Sequence, residues 1–279
     1  MNLFCLVSLI AAFCSLPALV VAVSKLRAEK NVVSALLVLV AGTITATFVS
    51  ACLHADNFMP CLKMGEKVVG GSLSPRYVAA ALLVVSIAVN AGIFALAKKA
   101  TSGNLGKCIA ALLTGFLAMN LVIGITASAL TGLSLDKCFF GSCCAAMGVG
   151  GVAWGLQYQE MCVIFNIYIQ ATICLGSALW LAWSAIKRYF GRRTAGNALL
   201  MTIGCVYGLL FFGGFLWVCS HYAMPLADAY YLCYHELIQL AKDWHTTYNN
   251  VNYIIFIFLF LIVTIGNMVM AKLLKSNNE

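Results

Sequence analysis

Seven stretches of the chain, residues 3–23, 32–53, 77–97, 108–133, 161–186, 197–219 and 251–271, contain no Asp, Glu, Lys, Arg or His. An α-helix rises about 1.5 Å per residue, so about 20 apolar residues match the ~30 Å hydrocarbon core of a bilayer. Runs this long, this apolar and this numerous predict an all-α polytopic transmembrane bundle. It has seven spans, arranged as three hairpins and a C-terminal helix. The connectors near residues 24–31, 98–107 and 187–196 are short and carry turn formers, Ser102-Gly103-Asn104 in the second and Gly191 and Gly196 in the third. Short connections make consecutive helices antiparallel neighbours. The remaining connectors are too short for a separate soluble domain, so residues 1–279 are read as one membrane domain.

One connector has a pattern of its own. Between Pro225 and Trp244 the apolar positions Leu226, Tyr230, Cys233, Leu237, Ala241 and Trp244 recur every three or four residues. That spacing is one face of a helix, and Pro225 suits a helix start. An amphipathic helix is expected here, lying at the membrane surface or capping the bundle, with Tyr230, Tyr231, Tyr234 and Trp244 at the interface.

Charge then orients the chain. Of 17 basic residues, twelve fall on alternate connectors: Lys25, Arg27 and Lys30; Lys98, Lys99 and Lys107; Lys187, Arg188, Arg192 and Arg193; Lys272 and Lys275. The other connectors hold Lys63, Lys67, Arg76, Lys137 and Lys242, with most of the acids (Asp56, Glu66, Asp136, Glu160, Asp228, Glu236 and Asp243). Basic connectors are retained on the cytoplasmic side, which places the C-terminus inside and, over seven spans, the N-terminus outside. The net charge of +8 is therefore a topology signal, and no nucleic-acid partner is expected. Ala22-Val23-Ser24 resembles a signal-peptide cleavage site. No basic residue precedes that first run and three follow it closely, so the first helix is expected to be retained.

The 13 cysteines follow the same division. Cys52 and Cys61, then Cys138, Cys143, Cys144 and Cys162, then Cys219 and Cys233 lie in or beside the connectors read as exoplasmic. Even numbers in each connector are what disulfides within an oxidising compartment would give, with Cys52–Cys61 and Cys219–Cys233 the leading pairs. A membrane thiol oxidoreductase is the competing reading. Such enzymes use a Cys-x-x-Cys pair, and none occurs here.

Ionisable groups are absent from all seven runs, which removes proton relays, ion-coupled pumping, voltage sensing and intramembrane proteolysis from consideration. Neutral polar residues do occur there: Asn90, Asn120, Asn166, Gln170, Thr202 and Asn267. Asn166 and Gln170 are four apart and share a helix face with Ser177 close by. They serve either as interhelical hydrogen-bond partners or as the lining of a narrow pore. In the fourth run Gly115, Ala118, Gly124, Ala127 and Ala129 allow close approach of backbones. The histidines, His54, His221, His235 and His245, are confined to the exoplasmic connectors. The last three could ligate a metal with Asp228, Glu236 and Asp243, but their spacing fits no helical i, i+4 ligand pair. No cofactor motif or catalytic motif is present. The bilayer, together with membrane-protein partners or further copies of the chain, is the expected surrounding. The sequence favours a non-enzymatic scaffold or assembly subunit, with a passive pore for a small solute as the alternative.

Overall fold

Lys30 and Asn31 show how the helices of this chain are punctuated. Lys30 takes a left-handed backbone, φ 46°, and its N–H closes on the Leu26 carbonyl, ending the first helix. Asn31 then caps the second, its Oδ1 accepting from Ser34 N–H at 2.7 Å. Lys25 pairs with Glu29 across the same turn at 2.8 Å. The computed structural model describes residues 3–53, 75–99 and 105–276, and no strand occurs among them. The connector that holds His54 and Cys61 lies outside the described residues, as does the Ser102-Gly103-Asn104 turn.

Among the described residues nine helices follow in order: α1 Leu3–Glu29, α2 Val32–Leu53, α3 Pro75–Lys98, α4 Leu105–Thr131, α5 Leu135–Ala153, α6 over residues 158–191, α7 Ala195–His221, α8 Leu226–Asp243 and α9 over residues 248–276. Six of the seven apolar runs lie wholly within one of them, and the run 108–133 ends two residues beyond α4. Among the described residues six are long and apolar enough to cross a membrane, α1, α2, α4, α6, α7 and α9, and Leu83–Lys98 of α3 is apolar too. The chain is thus a multi-pass helical membrane protein.

Residues Met1–Met161 and Cys162–Glu279 form two compact units, the boundary falling in the first turns of α6. In the first unit, Ala18 and Ala22 of α1, Leu37 and Ala41 of α2, Ile93 and Ala97 of α3 and Cys108 of α4 make a shared core. Small side chains dominate it, which lets the helices approach closely where lipid supplies no hydrophobic drive. Ser15 on α1 and Thr45 on α2 share a hydrogen bond at 2.7 Å inside this packing.

A loop was expected after α4, but α5 folds there. Gly132, at φ 71°, turns the chain. Nineteen residues then return against α4. A Cβ on Gly124 would lie 3.0 Å from the Phe139 Cα, so only glycine permits this approach. Asn120, fully buried, accepts from Ser142 Oγ at 2.7 Å one turn away. Of the small residues of α4, Gly124 and Ala127 pack within the chain, whereas Gly115, Ala118 and Ala129 are exposed.

In the second unit α6 ends at Gly191 and Thr194 caps α7, its hydroxyl accepting from Asn197 N–H at 3.2 Å. Gly204 and Gly208 of α7 seat against Ala185 and Ala182 of α6. The predicted amphipathic helix is α8. Ala229, Leu237 and Ala241 form its buried face, with Leu226, Tyr230 and Cys233 packed beside them. Trp244 ends the helix half-exposed instead of joining that face. Val163 and Ile167 of α6 and Val251 of α9 lie beneath, so α8 caps the bundle made by those helices.

Candidate functional site

Two of the three long helices of the second unit, α6 and α9, change register near one end. Residues Val163–Ile169 of α6 and Tyr253–Leu259 of α9 are π-helical. A π-turn takes its hydrogen bonds from i to i−5, as Gln170 N–H does to the Phe165 carbonyl. The wider turn leaves backbone groups short of partners, and such segments concentrate at functional sites. One side chain bridges the two: Gln170 Nε2 donates to the Phe256 carbonyl, inside the π-turn of α9, at 3.1 Å. Its contact with Asn166 Oδ1 is longer, 3.5 Å.

From this bridge a polar seam runs along the α6–α9 contact. Cys174 Sγ lies 3.8 Å from Thr264 Oγ1. Asn267 Nδ2 donates to Ser177 Oγ at 3.0 Å, and its Oδ1 accepts from Tyr207 of α7 at 2.9 Å. Gln170, Ser177, Thr264 and Asn267 are all buried. Three of the expected polar residues, Asn166, Gln170 and Asn267, therefore lie along the α6–α9 contact, Asn166 and Gln170 in one hydrogen-bonded group and Asn267 in another. Asn120 and Asn90 do not: Asn120 binds Ser142 in the first unit, and Asn90 donates to the Ser86 carbonyl on its own helix while its Oδ1 is buried without a partner. Thr202 turns back on the Ala198 carbonyl. Gln170 Nε2 and both polar ends of the Asn267 amide are taken up by protein groups.

A second cluster sits where α7 meets α8. Glu236 accepts from the Tyr222 phenol at 2.5 Å through one oxygen and meets His221 Nε2 at 2.7 Å through the other. Trp217 stacks on the His221 ring, and the Tyr168 phenol ties this corner to α6 through the Tyr222 carbonyl at 2.7 Å. The phenol also bonds the Cys233 thiol. Burial pushes that thiol up to about 11, with the Glu236 carboxylate adding to the rise and the phenol opposing it. Burial and the same carboxylate raise Tyr222 further. A thiol held so high is almost wholly protonated at neutral pH and is a poor nucleophile. The sequence could not announce this cluster, because Tyr222 and Glu236 are 14 apart and meet only through the turn at Pro225.

The expected disulfides do not form among the described residues: Cys52, Cys138, Cys143, Cys144, Cys162, Cys219 and Cys233 all keep their thiols. Cys138, Cys144 and Cys162 are buried on helices, where thiols pack as small apolar side chains. Tyr158 donates to Cys144 at 3.3 Å. No three His, Cys, Asp or Glu side chains converge as metal ligands among the described residues. His221 engages Glu236, His235 packs edge-on to Tyr234, and His245 sits at the end of α8 with a left-handed backbone, φ 51°.

The fold defines a polytopic helical membrane protein, in which Asn120, Gln170 and Asn267 make hydrogen bonds between helices. No family model, curated protein or solved structure matches the chain.

Proposed function

We propose that the chain is a non-enzymatic scaffold or assembly subunit of a membrane complex. The supporting observation is the seam: Gln170 and Asn267, two of the amides that would line a pore, are bonded to neighbouring helices. The lipid-facing surface points the same way. Only 11% of the α7 span is buried within the structure, the least of the six long spans. Leu199, Ile203, Leu209 and Leu210 stand exposed along it. Such a surface fits lipid or the helices of a partner equally well in chemical terms, and a subunit supplies the partner. After mild solubilisation the chain should migrate as an oligomer or with a stoichiometric membrane protein, read by native mass spectrometry. A lone monomer that conducts a small solute in liposomes, with flux lost in Asn166→Leu, Gln170→Leu, would favour the pore instead. An outer-face thiol oxidoreductase has less support, since Cys233 is held protonated and no Cys-x-x-Cys pair exists.

We also infer an orientation with residues 24–31, 98–107, 187–196 and 272–279 cytoplasmic. It requires that α5 not cross the bilayer. An eighth crossing at α5 would move Lys187, Arg188, Arg192 and Arg193 opposite Lys25, Arg27 and Lys30, against charge retention. In sealed cells, cysteines introduced as Lys25→Cys and Arg193→Cys should both resist a membrane-impermeant maleimide and both label once the membrane is opened. Labelling of Arg193→Cys alone in sealed cells would mean that α5 crosses.

A further inference from the structure

We infer that the turn between α6 and α7 is a binding site for the phosphate of an anionic phospholipid headgroup. Lys187, Arg188, Arg192 and Arg193 crowd into it, and no Asp or Glu occurs from residue 161 to 227. Among the described residues no carboxylate pairs with any of the four, whereas the α1–α2 turn neutralises Lys25 with Glu29. A concentration of unpaired cations at the end of two membrane helices lies at headgroup depth, where each basic residue is drawn to anionic lipid.

The turn is also built in advance of any ligand. Arg188 Nε donates to Asn197 Oδ1 at 3.0 Å, and Asn197 Nδ2 donates to the Arg192 carbonyl at 2.6 Å. Asn197 is buried, so this clamp fixes the guanidinium and the backbone of the turn together while the terminal nitrogens of Arg188 remain for another acceptor. Arg192 and Arg193 are exposed. The first turn of α7 adds N–H groups without helical partners, and the space over Gly196 is open. Guanidinium groups take phosphate oxygens in pairs, which a point charge does not. Two aromatic residues flank the turn on its apolar side. Trp183, under the Lys187 ammonium at 5.3 Å, and Phe190 are both exposed to the membrane. A headgroup whose acyl chains run down past these rings satisfies the polar and apolar halves at once. Free phosphate would use only the first.

Native mass spectrometry of the full chain, titrated in mixed micelles with phosphatidylglycerol or phosphatidylcholine, tests this. Phosphatidylglycerol should be retained in preference. Arg192→Gln, Arg193→Gln should weaken it about fivefold per charge removed, about 30-fold in all. Arg192→Lys, Arg193→Lys, which keeps the charge but gives up the paired bonds, should weaken it less than the glutamine pair does, and Lys25→Gln, Lys30→Gln should change it little. Equal retention of the two lipids would overturn the assignment. So would an equal loss in the two control pairs, which would trace the effect to folding or to total charge. Millimolar inorganic phosphate that displaces the lipid completely would reassign the turn to a free anion.

Discussion

Asn267→Leu should cost the second unit about 1–3 kcal/mol, the sum of two interhelical hydrogen bonds at the strengths seen in membranes. Asn267 is the one side chain of the seam that touches both α6 and α7, donating to Ser177 and accepting from Tyr207. Leucine has nearly the same volume, so packing is largely kept and the loss isolates the polar contribution. Ser177 retains its bond to the Cys174 carbonyl, but the Tyr207 phenol loses its acceptor. A double-mutant cycle with Tyr207→Phe should recover a coupling of about 0.6 kcal/mol or more. Thermal unfolding in detergent, followed for both single variants and the double, gives the comparison. An Asn267→Leu protein as stable as the wild type would mean that the seam is not what holds α6, α7 and α9 together, and with it the main support for a structural role would go. Gln170→Leu strikes the same bundle differently. It strips the Phe256 carbonyl, inside a π-turn, of its side-chain donor from α6.

The seam was half legible in the chain. Asn166 and Gln170, four apart, had to share a face, and Ser177 fell close to it, because helical periodicity is a property of sequence spacing. Their partners were not legible. Phe256 offers a carbonyl only because the α9 backbone widens there, and nothing in the apolar run Tyr253–Leu259 marks that change. The Tyr222–Glu236 contact was hidden for a related reason, since it depends on the angle at which α8 folds back after Pro225. α5 escaped through composition. Asp136 and Lys137 stand at its start, and glycines at 141, 148, 150 and 151 dilute its hydropathy, yet those same small residues suit a helix packed tightly on another. The cysteines misled for that reason as well. Even numbers in presumed loops suggested bridges, but Cys138 and Cys144 sit on α5, where a buried thiol serves as a small apolar side chain. Periodicity and charge carried the spans and α8; what depended on backbone register or on one helix resting against another did not show.

Gly124→Ala should open the α4–α5 hairpin, and a neighbouring glycine supplies the control. An added Cβ at 124 meets the Phe139 backbone at 3.0–3.2 Å, counting its Cα, N and Cβ. Backbone cannot rotate away as a side chain can, so α5 must shift bodily. Overpacking of this kind costs about 1–3 kcal/mol. The shift also stretches the Asn120–Ser142 bond, whose members are both buried, adding a further loss of about 0.6–1.7 kcal/mol. Gly115→Ala, on the same helix with open space around it, removes a flexible residue without a clash and should be neutral or stabilising by up to about 1 kcal/mol. Cys138 reports the difference. It is 1% exposed beside Ala127 on the opposing helix, so its labelling by a thiol reagent requires the hairpin to separate. Peptide-resolved mass spectrometry should find Cys138 modified at least tenfold faster in Gly124→Ala than in the wild type or in Gly115→Ala. Equal rates in the two alanine variants would show that α5 does not rest on Gly124, and the reading of α5 as a helix docked on α4 would fall with that result.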